Sequence, residues 1–130
     1  MAIITDFYVA PASSAAKLLA GVGTKKLSRY ETKGILDTKL EALERLLKGE
    51  GETTLLTDQD AEQWVFRVSP SLVALLAKLK TVDPVAKKWV SEFKADGWTV
   101  AEAKKALSAL VKLAIEATAT KQDLLLRMSL

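Results

Sequence analysis

The stretch from Thr99 to Thr118 constrains this chain most, because it is apolar around nearly the whole circumference of a helix. Thr99-Val100-Ala101-Glu102 has the spacing of a capping box, which sets where the helix begins. Beyond it, Lys104, Lys105, Ser108, Lys112 and Glu116 form one narrow polar stripe, and the rest is largely Ala, Val, Leu and Ile. A helix patterned in this way is packed on several sides. It is expected to be the central helix of the domain, with a homodimer contact as the other use of its apolar surface.

The remaining residues must supply the layers around it. Residues 3–9 alternate as a strand, with Ile3, Thr5, Phe7 and Val9 on one face and Ile4, Asp6 and Tyr8 on the other. Pro11 stops the pairing, and Ser13 caps a short helix from Ser14 to Ala20 that ends at Gly21. Residues 21–34 read as a loop rich in Gly and Lys. A second helix is expected from Asp37 to Lys48, with Leu36, Leu40, Leu43, Leu46 and Leu47 as its apolar stripe and Gly49 as its stop.

Two short strands, 53–57 and 63–68, flank the polar segment Asp58-Gln59-Asp60-Ala61-Glu62 as a hairpin. Ser69-Pro70 then opens a helix to Leu79, with Val68 and Val73 at staple spacing. Asp83-Pro84 repeats the signal for a helix to about Ala95, ended by Gly97. Leu124, Leu126, Met128 and Leu130 alternate with Leu125, Arg127 and Ser129 as a final strand. The expected fold is one α+β domain over residues 1–130. It has about five helices on a small, mostly antiparallel sheet of about four strands: an N-terminal strand, a central hairpin and a C-terminal strand.

Composition narrows the chemistry. The chain has no histidine and no cysteine, so it lacks the side chain that titrates most readily near neutral pH and the strongest soft nucleophile. Disulfides and ordinary zinc or copper sites go with them. No apolar stretch approaches the roughly 20 residues that span a bilayer, and a soluble, cytoplasmic protein with no cofactor and no membrane contact is expected.

Charge is unevenly distributed. Lys/Arg against Asp/Glu run five to two in residues 1–34, four to eight in 35–69 and ten to six in 70–130. Of the 19 basic residues 15 are Lys, a point charge rather than the planar fork that reads phosphates and bases.

Several segments are candidates for chemistry. Gly21-Val22-Gly23-Thr24-Lys25-Lys26 has glycines and lysines suited to an anion, but no Walker spacing, and Gly21 is already explained as a helix stop. Lys25, Lys26, Arg29, Tyr30 and Lys33 form a basic segment with one ring, the pattern of single-stranded nucleic-acid binding. Asp58, Asp60 and Glu62 offer oxygen ligands to a hard cation, without the glycine and bidentate Glu of a calcium loop. They are weak metal candidates, and a soluble hairpin turn explains them more simply. Ser14 and Lys17 have S-x-x-K spacing with no companion motifs; Ser13, Ser14 and Ser69 are more simply caps.

Trp98, between Gly97 and the Thr99 cap, is either a helix-junction residue or a binding anchor. Lys87 and Lys94, and likewise Lys105 and Lys112, share a face of their helices, and the two faces could merge into one basic surface with Lys88 and Lys104.

The leading expectation is a non-catalytic protein-binding module, an adaptor or inhibitor-like protein acting through its surface. Its candidate contacts are Trp98, Lys25, Lys26, Arg29, Tyr30, Lys87 and Lys94. The alternatives are a nucleic-acid or phosphate-ligand binder using the lysines, and a carboxylate or hard-metal enzyme built on Asp58, Asp60 and Glu62.

Overall fold

The first and last strands, β1 (Ile4–Ala10) and β5 (Asp123–Ser129), pair antiparallel in the middle of a five-stranded sheet. The structure, a computed structural model, describes residues 3–21, 23–35, 37–59, 62–93 and 96–129. In chain order the other elements are α1 (Ala15–Ala20), β2 (Arg29–Lys33), α2 (Asp37–Leu46), β3 (Thr54–Gln59), β4 (Gln63–Arg67), α3 (Pro70–Ala77), α4 (Asp83–Ser91) and α5 (Val100–Thr120). The sheet order is β2-β1-β5-β4-β3, every neighbour antiparallel. The architecture is α+β, as the sequence pattern implies.

β1 is buried on both faces, which a strand achieves only with layers above and below it. Phe7 and Val9 join Leu124, Leu126 and Met128 under the helices α2 to α5. Tyr8 and Ala10, with Leu125 and Val65, meet Ala15 and Leu18 of α1 on the opposite face. α1 is short and covers only part of that face.

α5 is the central helix. It packs against α3 and α4 as well as β1, β2 and β5, and so takes up most of its apolar circumference within the chain. Ile115, at 50% exposure, is the one large apolar side chain of α5 left open among the described residues.

The sheet has one strand more than expected. β2 occupies the end of the segment read as a loop, because its burial alternates around charged residues and not apolar ones. As an edge strand it needs only Tyr30 and Thr32 directed inward, while Arg29, Glu31 and Lys33 keep its other face polar. That leaves too little apolar alternation to announce a strand.

Caps are right in some places and wrong in others. Thr99 and Glu102 form the full capping box, with Glu102 N–H donating to Thr99 Oγ1 at 3.1 Å and Thr99 N–H to Glu102 Oε1 at 3.1 Å. Ser69 caps α3 through Leu72 N–H at 3.4 Å. Asp83 does not cap α4: the cap residue is Val82, and the Asp83 carboxylate pairs instead with Lys104 at 3.1 Å. α4 also ends at Ser91, short of Ala95, which lies outside the described residues. Ser13 is exposed and makes no cap, since a 3-10 turn over Ala12–Ser14 precedes α1. α2 stops at Leu46, and the left-handed residue that ends it is Lys48 at φ 64°, not Gly49. Gly49 is required for another reason: a Cβ there would lie 2.6 Å from Glu44 Cγ. Leu36 and Leu130 lie outside the described residues.

Candidate functional site

Strand alternation divides the basic segment at β2. Arg29, Glu31 and Lys33 share the face that carries α1, while Tyr30, directly opposite Phe7, points toward α5. Adjacent residues Arg29 and Tyr30 therefore belong to different surfaces.

On the α1 face Arg29 is occupied. It donates to Asp6 at 3.3 Å and to Glu31, and its guanidinium stands 5.7 Å from the centre of the Tyr8 ring. Asp6 is nearly buried, and a buried carboxylate is retained when paired in this way. Arg127, opposite Asp6 in the register, donates to Gln63 Oε1 at 3.2 Å. Its Nε has no hydrogen-bond partner among the described residues. Burial and the Asp6 carboxylate push the Tyr8 hydroxyl above its ordinary pKa, against the opposing pull of Arg29 and Arg127. None of Asp6, Tyr8 and Arg127 stands out in the sequence, because their meeting depends on strand register.

On the other side of β2 lies a groove of about 210 Å³ between that strand and the start of α5. Tyr30, Thr32 and Ile35 form one wall and Glu102, Lys105 and Ala106 the other; Trp98 completes it, with Glu31 and Lys33 at its β2 edge. Trp98 and Tyr30, nominated separately in the sequence, meet here across 68 residues of chain.

The groove has a rigid frame. Trp98 stands edge-on to Trp89, with centroids 4.6 Å apart at 80°, and to Phe93 at 6.3 Å, arrangements favoured by the ring quadrupoles. Trp89 is fully buried and donates its indole N–H to the Lys39 carbonyl at 2.8 Å. The buried Lys39 ammonium donates to the Gly34 carbonyl at 2.8 Å and lies 4.6 Å from the Trp98 ring centre. Ser28, just before β2, donates to Glu116 of α5 at 2.7 Å. Glu102 is held by its capping box, so its carboxylate is already engaged.

Lys33 and Lys105 are exposed and pair with no carboxylate among the described residues, and the same is true of Lys25 and Lys26 in the 3-10 turn before β2. Lys104 and Lys105 go to different neighbours, the first to Asp83 of α4 and the second to the groove. Lys87 and Lys88 are exposed on α4 and line no part of the groove; Lys94 lies outside the described residues.

The other candidates are placed as follows. Asp58 is exposed in β3 and Glu62 in the turn after it; Asp60 lies outside the described residues. Among the described residues no group of three or more acidic side chains gathers as metal ligands would. Ser69 is buried and donates to Glu44 at 2.8 Å, a structural use of its hydroxyl. Gly21 is the left-handed end of α1 at φ 74°; Val22 lies outside the described residues. No protein-family model, curated protein or solved structure matches the chain.

Proposed function

We propose that the protein is a non-catalytic binding module that takes an acidic segment of a partner protein in the groove between β2 and α5. The observation that carries this reading is the groove that Tyr30 and Trp98 line together, with Lys105, which pairs with no carboxylate among the described residues, on its α5 wall. Amphipathic rings held rigidly in a pocket are the usual energetic centre of a protein interface. Lys105 at its rim favours a partner of negative charge and raises the rate of encounter. The lysine-rich composition disfavours base readout, which relies on the planar Arg fork, and Arg29 is already held by Asp6 and Glu31.

The experiment is an NMR titration that follows the Trp98 indole N–H, assigned with Trp98→Phe. Poly-glutamate is compared with a mixed-sequence oligonucleotide over a range of salt. Saturable movement of Trp98 with poly-glutamate, weakened about tenfold by Lys105→Glu (a change of about 1.4 kcal/mol), supports the reading. Tighter binding of the oligonucleotide, with a steep dependence on salt, replaces it with the nucleic-acid reading.

A further inference from the structure

The backbone groups of the edge strand β2 have a fixed phase. Gly34 N–H donates to the Ile3 carbonyl at 3.0 Å, and Val9 N–H donates to the Ser28 carbonyl at 3.1 Å. Hydrogen-bonded and non-hydrogen-bonded pairs alternate along an antiparallel ladder, so Tyr30 and Thr32 turn their N–H and C=O groups to β1. Arg29, Glu31 and Lys33 turn theirs outward, where no further strand of the sheet receives them. The side chains of these three share the α1 face, and Tyr30 stands on the other.

A second copy of β2 meets this edge antiparallel about a two-fold axis only where outward groups oppose outward groups. With pairing on both sides of it, the axis then falls at Glu31, Thr32 or Tyr30. At Glu31 it sets Glu31 against Glu31 and Arg29 against Lys33, and like charges directly opposite are destabilising. At Thr32 it sets Glu31 against Lys33, but Tyr30 then faces Gly34, which lies past the end of the strand and has no side chain. At Tyr30 it sets Arg29 against Glu31 on both sides of the axis and one Tyr30 against the other. The order Arg29-Tyr30-Glu31 is complementary to itself in that register alone.

We propose that the protein forms a two-fold dimer by antiparallel pairing of β2 with β2 of a second copy, with the axis at Tyr30. Arg29 and the second copy's Glu31 exchange both backbone hydrogen bonds, as do Glu31 and the second copy's Arg29. On the α1 face these side chains close a ring of alternating charge. Each Arg29 already touches its own Glu31, and at 42% and 58% exposure both reach beyond the edge. On the opposite face the Tyr30 rings meet as a non-hydrogen-bonded pair, the closer kind, and aromatic pairs are favourable there. The same patch serves both copies, as a closed two-fold contact requires. This does not depend on what the groove binds; it sets the grooves of the two copies side by side on one face.

A charged edge ordinarily discourages a second strand. This edge carries both signs, in an order that matches itself when reversed about Tyr30. Its ladder to β1 runs from Arg29 to Lys33 without interruption, so the outer edge is regular. The opposite edge, β3, is broken by a register shift between Leu55 and Thr57 and has α1 packed beside it.

The test is sedimentation velocity from micromolar to millimolar protein, with amide exchange of the unaltered chain at both ends of that range. As the dimer forms, exchange at Arg29 and Glu31 is expected to slow about tenfold or more, while Tyr30, Thr32 and Lys33 keep their rates. Lys33 separates the registers, since an axis at Glu31 or Thr32 engages its amide. Glu31→Pro removes an outward donor from each copy without touching the ladder to β1. It is expected to dimerise about tenfold more weakly than Glu31→Ala, with equal circular dichroism of the two at low concentration showing that both are folded. Glu31→Lys, which opposes Arg29 with a like charge, should also fall about tenfold below Glu31→Ala. A chain that stays monomeric at millimolar concentration overturns the proposal. So does a dimer that leaves the Arg29 and Glu31 amides unprotected or that Glu31→Pro does not weaken, which puts the contact elsewhere. Protection of Lys33 on dimerisation overturns the register at Tyr30.

Discussion

The Lys39 ammonium lies 4.6 Å from the centre of the Trp98 ring, so a buried cation in α2 holds the aromatic wall of a groove formed by β2 and α5. The same nitrogen donates to the Gly34 carbonyl at 2.8 Å and stands 3.4 Å from the half-exposed Asp96 carboxylate. These contacts differ in weight. A charged hydrogen bond out of water contributes about 1.5–3 kcal/mol, a desolvated cation–π contact up to about 2, and an exposed ion pair about 0–1. Lys39→Met is therefore expected to lower stability by about 2–3 kcal/mol in urea unfolding, and to weaken the aromatic near-ultraviolet dichroism. Asp96→Asn should cost less than about 0.5 kcal/mol. Equal losses in the two variants would mean that the ion pair, not the ring, holds Lys39.

Glu44 makes a second buried link, joining α2 to the start of α3. One carboxylate oxygen, Oε2, accepts from Ser69 Oγ at 2.8 Å and from Gly51 N–H at 3.1 Å, and Ser69 in turn caps α3. Removing the acceptor leaves the buried Ser69 hydroxyl without its partner, while Gly51 N–H, in an exposed residue, can turn to water, so Glu44→Ala is expected to cost about 1–3 kcal/mol. Glu44→Gln keeps an oxygen for both donors and should stay within about 1 kcal/mol of the parent. A Cβ at Gly51 would collide with Ser69 Oγ, so Gly51→Ala should be destabilising as well. Thermal unfolding of the three variants checks the order; a Gln variant as unstable as Ala would show that charge, not hydrogen bonding, is what Glu44 supplies.

The parts of the fold that could be read from sequence are those whose signals are local. The capping box at Thr99, the cap at Ser69 and the alternation of β1 and β5 each depend on residues within a few positions, and each is present. What escaped depends on partners distant in sequence. β2 is a strand because β1 lies beside it, and its own residues alternate by charge. Asp83 resembles a cap until Lys104 is brought within 3.1 Å. The groove was half legible: Tyr30, Trp98, Lys33 and Lys105 are all noticeable residues, but nothing in the sequence says that they line one groove. Lys39 gave no signal, since a lysine in an amphipathic helix is ordinarily solvated and here the ring of Trp98 takes the place of water.

The capping box gives a test of how α5 is anchored next to the groove. Thr99→Ala removes the acceptor for Glu102 N–H and the hydroxyl's bond to the Glu102 carboxylate, while Thr99 N–H still holds Glu102 Oε1. The expected loss is about 1 kcal/mol, and Thr99→Ser should restore most of it. Because Trp98 immediately precedes the cap, the Ala variant should also loosen that ring, seen as a red shift of its emission. A stability loss without any change at Trp98 would show that the ring is held from α2 and α4 alone.

Tyr8 ties stability to alkaline pH. Burial raises its hydroxyl pKa first, and the Asp6 carboxylate second, while Arg29 and Arg127 act against both. A pKa higher in the folded state than in the unfolded one means that the native protein holds the phenolic proton more tightly. That contribution to stability is complete below the unfolded value of about 10 and is lost as pH rises through the folded value. Tyr8→Phe removes the titration and fills nearly the same space against Leu18 and Leu125. Urea unfolding of both proteins from about pH 9 to pH 11, spanning the tyrosine range, should therefore show the parent losing stability more steeply than the variant. Other groups that titrate in this range, including the lysines, are common to both proteins and largely cancel in the difference. Parallel slopes would mean that Tyr8 keeps an ordinary phenol pKa despite its burial beside Asp6.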